Sequence, residues 1–393
     1  MKVVTETMIY LDNAATSFPK PEGVYQAVDH FNRDIGANPG RSGYATARKA
    51  GQIVEETRKL LAQLFHVEDS GQIVFTSNAT EALNLGLKGS LLPGDHVVTT
   101  VTDHNSVLRP LRSLVERRNV AATWVECDGT GFVDPEDVRA ALRSDTKLVC
   151  MTHASNVTGT VHDLNTISTL VHENGTLLMV DAAQTAGCVP IDVQEMQIDL
   201  LAFTGHKGLL GPQGTGGLYI KPGIEIQPLR EGGTGSQSSS DRQPEKMPDR
   251  FEGGTHNTPG LAGLGAGVRF VLETGVEAIQ AHERALTEHL LDRLASIPGV
   301  KVYGPSCGSY RVAVVSFTLE DWPPLNLAHL LASGFDIATR SGLHCAPLIH
   351  KYLGTSDTGT VRVSIGYFNT ADDIDALYNA LEKIAAQAQG EAE

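Results

Sequence analysis

Short apolar runs alternate with longer amphipathic stretches over the first 220 residues of the chain. The runs at 73–76, 96–100, 123–126, 147–152, 177–180, 200–203 and 217–220 predict strands. Between them, apolar residues spaced three and four apart predict helices over 47–65, 80–88, 106–118, 135–142 and 164–173. The helix at 135 has Asp134 as N-cap and Pro135 in its first turn. Strands alternating with helices in this way give an α/β fold on a mainly parallel seven-stranded sheet.

The rhythm then changes. Residues 230–250 hold Gly232-Gly233-Thr234-Gly235 and Ser238-Ser239-Ser240 among charges and prolines, which predicts a mobile loop. One long helical stretch follows, from about 260 to 297. Strands are predicted over 300–303, 311–318, 336–339 and 360–365, and helices over 326–332 and 372–388. This part forms a smaller α+β domain. The expected division is a large domain over 20–260 and a small one made of 1–19 plus 261–393, with the segment from Tyr10 to Thr16 near the junction. No internal repeat is evident.

Composition narrows the class. Hydrophobic residues at 41% supply a buried core, and 20% charged residues without long biased tracts argue against disorder. A net charge of −15 disfavours a nucleic-acid partner, which selects for a basic face. No apolar run approaches the length of a membrane span, and Met1-Lys2-Val3-Val4-Thr5-Glu6 lacks the apolar stretch of a signal peptide. The expectation is a cytoplasmic protein with no membrane partner. Five cysteines, at 127, 150, 188, 307 and 345, are odd in number and form no C-x-x-C pair. A disulfide framework or zinc site is not expected. Cys127, Cys150 and Cys188 lie in or near strand-like runs and read as core residues.

The candidate chemistry centres on Lys207, in Phe203-Thr204-Gly205-His206-Lys207-Gly208, and Asp181, in Asp181-Ala182-Ala183-Gln184. A lysine after one apolar strand and an acid at the end of an earlier one suit pyridoxal 5'-phosphate. The amine forms a Schiff base with the aldehyde, and the acid keeps the pyridine nitrogen protonated, so the ring accepts electrons. Ser77-Asn78-Ala79-Thr80 follows a strand and opens a helix, offering the Ala79 and Thr80 amides and the Thr80 hydroxyl to a phosphate. An ordinary N-cap at Asn78 or Thr80 is the structural alternative. His104 follows another strand and is placed to stack on the pyridine ring; Gln184 and Asn156 can bond its 3′-oxygen, and Asn156 can also meet substrate. Thr204 and His206 flank the lysine and can reach phosphate oxygens. Each has a structural reading alone. Their convergence at the C-terminal ends of successive strands, where ligands of open α/β sheets bind, favours a site.

Cys345 lies in Arg340-Ser341-Gly342-Leu343-His344-Cys345-Ala346-Pro347, a loop with Arg340 and His344 as cationic neighbours that favour thiolate. Arg362 offers a guanidinium fork to a substrate carboxylate; a surface salt bridge is its structural alternative.

The pattern resembles the class V, fold-type I, pyridoxal-phosphate enzymes, and within them the cysteine desulfurases and selenocysteine lyases. The resemblance runs from Tyr10-Leu11-Asp12-Asn13-Ala14-Ala15 to Val361-Arg362-Val363-Ser364. It is most specific at Thr204–Lys207, Asp181–Gln184 and Arg340–Cys345. The compact cysteine loop is similar to the Suf-type branch. Arg250-Phe251-Glu252-Gly253-Gly254-Thr255 is similar to the segment whose threonine reaches the partner subunit's phosphate, and Asn38-Pro39-Gly40-Arg41 to one lending an arginine across a dimer.

The resemblance implies a homodimer with shared sites that acts on L-cysteine or L-selenocysteine. Lys207 moves protons, His104 stacks and shuttles protons, and Cys345 takes the sulfur as a persulfide for an acceptor protein, as in iron–sulfur cluster assembly. Arg362, Asn156, Asn13, Arg340 and Arg41 then bind substrate. Ala79 stands where a hydroxyl residue is common, and Leu343 where a histidine is common. Epimerase and transaminase activities share the fold but need no thiol at 345. A non-catalytic scaffold would need none of Lys207, Asp181, His104 and Cys345.

Overall fold

The computed structural model describes residues 8–40, 43–237 and 239–390. A short strand β1 (Ile9–Tyr10) and helices α1 (Glu22–His30) and α2 (Ala45–Phe65) lead into the alternating region. There, β2 (Ile73–Thr76), α3 (Ala79–Ser90), β3 (His96–Thr100), α4 (Asn105–Arg118), β4 (Ala121–Val125), α5 (Pro135–Ala141) and β5 (Thr146–Thr152) follow one another. They continue into α6 (Leu164–Glu173), β6 (Leu177–Asp181), β7 (Leu200–Thr204) and β8 (Gly216–Ile220). The predicted strands and helices of this region are all present, with ends shifted by one or two residues.

Strands β2 to β8 form one sheet in the order β2-β8-β7-β6-β5-β3-β4. Pairing is parallel from β7 to β4, and β8 runs antiparallel to both β2 and β7. Side-chain alternation explains the unbroken apolar runs. Phe75, Met151 and Phe203 enter one core with Leu61 and Phe65 of α2. Val74, Cys150 and Ala202 enter the opposite core with Leu83 of α3 and Leu111 of α4. A parallel sheet covered on both faces has no polar side.

The rest comprises α7 (Thr258–Thr274), α8 (Val276–Ala295), β9 (Val300–Tyr303), β10 (Val314–Leu319), α9 (Pro324–Phe335), β11 (Ile337–Ala338), β12 (Arg340–Gly342), α10 (Ile349–Leu353), β13 (Thr360–Ser364) and α11 (Ala371–Gly390). The helical stretch predicted as one is two, because Gly275 adopts φ +87° between them, a conformation that ends a helix. The strand predicted over 311–318 starts only at Val314: Arg311 bridges to Thr160, and its guanidinium donates to the Thr158 carbonyl. Residues 340–342, predicted as loop, form a strand against β13. Antiparallel strands run in the order β12-β13-β10-β9 over a separate core that includes Phe317, Leu290 and Leu381. β1 pairs in parallel with β11, which fixes the N-terminal segment to this part. No described helix is long and apolar enough to cross a membrane.

Candidate active site

The ends of β5, β6 and β7 and the turn after β3 meet around an open cavity of ≈ 200 Å³. Ala79, Thr80, His104, Asn156, Asp181, Gln184, Thr204, His206, Lys207, Arg340 and Arg362 all line it. Parallel strands end on one edge of a sheet, so residues far apart in sequence arrive together. Of the other expected residues, three that are described lie elsewhere. Arg41 is outside the described residues, Thr255 is exposed, Asn13 lines a neighbouring cavity, and Cys345 opens onto another that shares Thr80, His104 and Ser106 with this one.

Lys207 has no side-chain hydrogen-bond partner among the described residues. Burial pushes its pKa down to about 8, and the cations Arg362 and Arg340 push in the same direction while Asp181 opposes them. Asp181 is buried, and burial raises its carboxyl above the ordinary range. Its Oδ1 accepts from the Ala183 amide at 2.9 Å, and Oδ2 is uncommitted among the described residues.

At the start of α3, Asn78 Oδ1 accepts from the Glu81 amide at 2.9 Å and Glu81 Oε2 from the Ser77 amide at 2.7 Å. This is a reciprocal cap. The N-cap reading of Asn78 is therefore right, and it leaves the Ala79 and Thr80 amides without a protein acceptor among the described residues. Both amides point out of a helix N-terminus, the arrangement that holds a phosphate.

Ser106 was not singled out by the sequence, yet it joins the two helix starts. Its hydroxyl lies 2.7 Å from Thr80 Oγ1 and 2.9 Å from His104 Nδ1, and its amide donates to that same nitrogen at 3.0 Å. The imidazole is held neutral: burial pushes its pKa to about 4, with Lys207, Arg340 and Arg362 adding to the effect. With Nδ1 accepting, the ring proton sits on Nε2. Asp103 was also missed. It is fully buried and accepts from the Thr99 hydroxyl, the Thr100 amide and hydroxyl and the Thr152 amide, at 2.7 to 2.9 Å. It thereby ties the ends of β3 and β5 beside His104.

Arg362 is not on the surface. It is 1% exposed, with Nη2 donating to Asp12 Oδ1 at 2.8 Å and Nη1 to the Asn156 carbonyl at 3.1 Å. Its Nε is buried without a partner. Asp12 orients this guanidinium, a role no local motif announced. Asn156 donates Nδ2 to the His344 carbonyl at 2.6 Å, which fastens the cysteine loop to β5's end. Asn13 differs from expectation. Its Nδ2 is spent on the Ser364 carbonyl and Asn369 Oδ1 at 3.1 and 3.0 Å, and its Oδ1 on the Phe18 amide, so it serves the backbone and not the substrate cavity.

The Cys345 loop holds two successive left-handed residues, His344 at φ +48° and Cys345 at φ +61°. Such a conformation is unfavourable for side-chain-bearing residues and needs surrounding structure to hold it. The Asn105 amide donates to the Cys345 carbonyl at 2.7 Å, and the Asn156 bond fixes the carbonyl before it. Arg340 Nη2 donates to Cys345 Sγ at 3.3 Å. His344 is not a cation here. It is buried with Nε2 2.9 Å from Thr360 Oγ1, and burial together with Arg362 pushes its pKa to about 2. The charge beside the thiol comes from Arg340.

The sequence model of the family described as Aminotransferase class-V matches residues 9–377. A protein of Methanothermobacter thermautotrophicus named probable cysteine desulfurase is 38% identical over 383 residues, covering 96% of this chain and 94% of its own length. A protein of Haloferax volcanii named cysteine desulfurase is 32% identical over 388 residues, covering 96% and 89%. The apo structure of a cysteine desulfurase from Thermococcus onnurineus superposes with a TM-score of 0.91 at 32% identity, over 97% of this chain and 95% of that one.

Proposed function

We propose, from the premise that the chain belongs to the class-V aminotransferase family, that it is a pyridoxal-phosphate-dependent cysteine desulfurase, converting L-cysteine to L-alanine and leaving the sulfur as a persulfide on Cys345. One observation carries the reading. Half-buried Lys207, Asp181 with a free oxygen, and Arg362 with an orphaned Nε line one cavity, and a thiol bonded to Arg340 opens beside it.

The residues fit the cofactor. The free Ala79 and Thr80 amides, with Thr204 and His206, suit its phosphate; Asp181 suits its pyridine nitrogen, Gln184 its 3′-oxygen, and His104 its ring face. When bound, pyridoxal phosphate supplies an aldehyde that condenses with amines and a ring that accepts electrons. Arg362, held by Asp12, binds the substrate carboxylate. Lys207 Nζ, its proton affinity lowered by burial, takes and returns protons at Cα. Arg340 stabilises negative charge on Cys345 Sγ. The thiolate attacks the substrate sulfur: a sulfur–sulfur bond forms, the carbon–sulfur bond breaks, and the electron pair left on carbon takes up a proton.

Thr255, exposed and away from its own cavity, is read as serving the other subunit of a homodimer, together with Arg41. Alanine and sulfide release from L-cysteine with a reductant, compared with release from L-selenocysteine, tests the assignment. Alanine at a useful rate from selenocysteine alone would reassign the enzyme as a selenocysteine lyase. Alanine from neither substrate would reject both activities.

A further inference from the structure

We propose that Arg58 and Glu252 are positioning residues for Thr255, and that this buried ion pair sets how firmly the other subunit of a homodimer holds its cofactor phosphate. The proposal rests on the reading of Thr255 as a residue that serves the other subunit.

Glu252 stands three residues before Thr255, and both it and Arg58, on α2, are buried. Arg58 Nη1 donates to Glu252 Oε1 at 2.8 Å and Nη2 to Oε2 at 3.0 Å, a two-pronged pair. The same carboxylate accepts from the Phe75 amide at 2.7 Å, and His256 Nε2 lies 3.3 Å from Oε2. Phe75 belongs to β2, the edge strand beside β8. On its open side an edge strand has no neighbour to accept from its amides, and here the carboxylate does so. The Arg58 guanidinium also donates to the Ile73 carbonyl and lies 4.3 Å from the centre of the Phe75 ring. One carboxylate thus fastens the turn over 252–256 to both α2 and β2.

Thr255 depends on such fastening. It follows Gly253 and Gly254, and Gly254 adopts φ +106°, so the backbone before it has more freedom than most. Thr255 is exposed, and its hydroxyl has no hydrogen-bond partner among the described residues. The turn is held at its ends. Glu252 meets His256 across it, and the Gly254 amide donates to the Gly233 carbonyl at 2.8 Å. Just beyond, Asn257 Oδ1 accepts from the Gly260 amide at the start of α7, and its Nδ2 donates to the Gly214 carbonyl, both at 3.1 Å. A free hydroxyl presented between fixed ends suits a phosphate brought by another chain. A buried ion pair stabilises a fold little, because desolvation offsets its attraction; here it fixes geometry.

The direction of the effect separates this role from a local one. β2 runs into Ser77-Asn78-Ala79, the phosphate-binding helix start of the same subunit. A pair that served only its own fold would act through β2 on its own subunit's site. A pair that places Thr255 acts on the other subunit's site.

The test uses heterodimers in which one subunit carries Lys207→Ala, so that the visible band of lysine-bound cofactor reports a single site. Cofactor-free heterodimers, purified through two different tags, are titrated with pyridoxal phosphate. In the first arrangement Arg58→Met and Glu252→Gln are placed together in the Lys207→Ala subunit, which leaves neither charge stranded in the core. The working site then uses Thr255 of the altered chain, and its cofactor affinity should fall about tenfold, as for loss of one charge-assisted hydrogen bond. In the second arrangement the same substitutions sit in the subunit that keeps Lys207, and the affinity should match that of the heterodimer with Lys207→Ala alone. Arg58→Lys, which keeps the charge without the fork, should give a smaller loss in the first arrangement only, and it decides the matter by itself if the double substitution prevents assembly. Equal affinities in the two arrangements, or a loss confined to the second, overturn the proposal and mark a local folding role. Thr255→Ala in the Lys207→Ala subunit is the control for sharing. If that control has no effect, the sharing of sites is refuted and the proposal falls with it. A Thr255 effect without an ion-pair effect refutes the proposal alone.

Discussion

Arg340 donates its Nη2 to the sulfur of Cys345 at 3.3 Å. The same arginine stands opposite Arg362 in the register of β12 and β13. One guanidinium therefore addresses the thiol while its neighbour, held by Asp12, faces the substrate cavity. Arg340→Gln should slow alanine release from L-cysteine roughly tenfold or more, as expected for loss of a charge-assisted bond. Cofactor absorbance should be unchanged. Stopped-flow measurement of both signals checks this; a loss of cofactor with activity would instead mark Arg340 as a fold residue.

Lys207→Ala should abolish turnover and the visible absorbance of the lysine-bound cofactor. Absorbance spectra of the purified variant and wild type decide the point. An unchanged band would show that another amine holds the aldehyde.

Thr255 and Lys207 belong to one site only if the site is shared between subunits. Mixing Lys207→Ala and Thr255→Ala subunits should then restore activity, because half of the sites in each heterodimer carry neither lesion. Verified subunit exchange without rescue, given a strong defect in each parent, would show that the sites are not shared.

The fold and most of the site were legible in the sequence for the same reason. A parallel sheet with two apolar faces leaves unmistakable runs such as 148–152, and residues just past each run fall on one edge. Lys207, Asp181, His104 and Thr80 could thus be grouped without coordinates. What escaped was pairing across long separations. Asp12 reaches Arg362 through the β1–β11 contact and the small sheet, and nothing near either residue signals it. Ser106 and Asp103 look like cap and turn residues locally; their partners Thr80 and Thr152 come from other strand ends. His344 was misread as a cation because its sequence neighbours say nothing of its burial.

The buried Glu283 gives stability a specific pH dependence. Its carboxyl is raised to about 8 from an ordinary 4.5, so the folded state binds the proton more tightly than the unfolded chain. The resulting stability is complete below pH 4.5 and is lost as pH rises toward 8. Glu283→Gln cannot titrate. The unfolding midpoint of wild type should therefore fall relative to Glu283→Gln between pH 5 and 8 and then run parallel above it, as about two points per pH unit in a thermal scan would reveal. A constant difference across that range would show that Glu283 is ionised in the folded protein.

The persulfide on Cys345 is the claim on which the functional account rests. Mass spectrometry of wild-type holoenzyme after brief exposure to L-cysteine should find one added sulfur on the peptide holding Cys345. The same experiment on Cys345→Ser should find none, with the cofactor band retained and alanine release lost. Added sulfur on another cysteine, or full cysteine desulfurase activity in Cys345→Ser, would contradict the account.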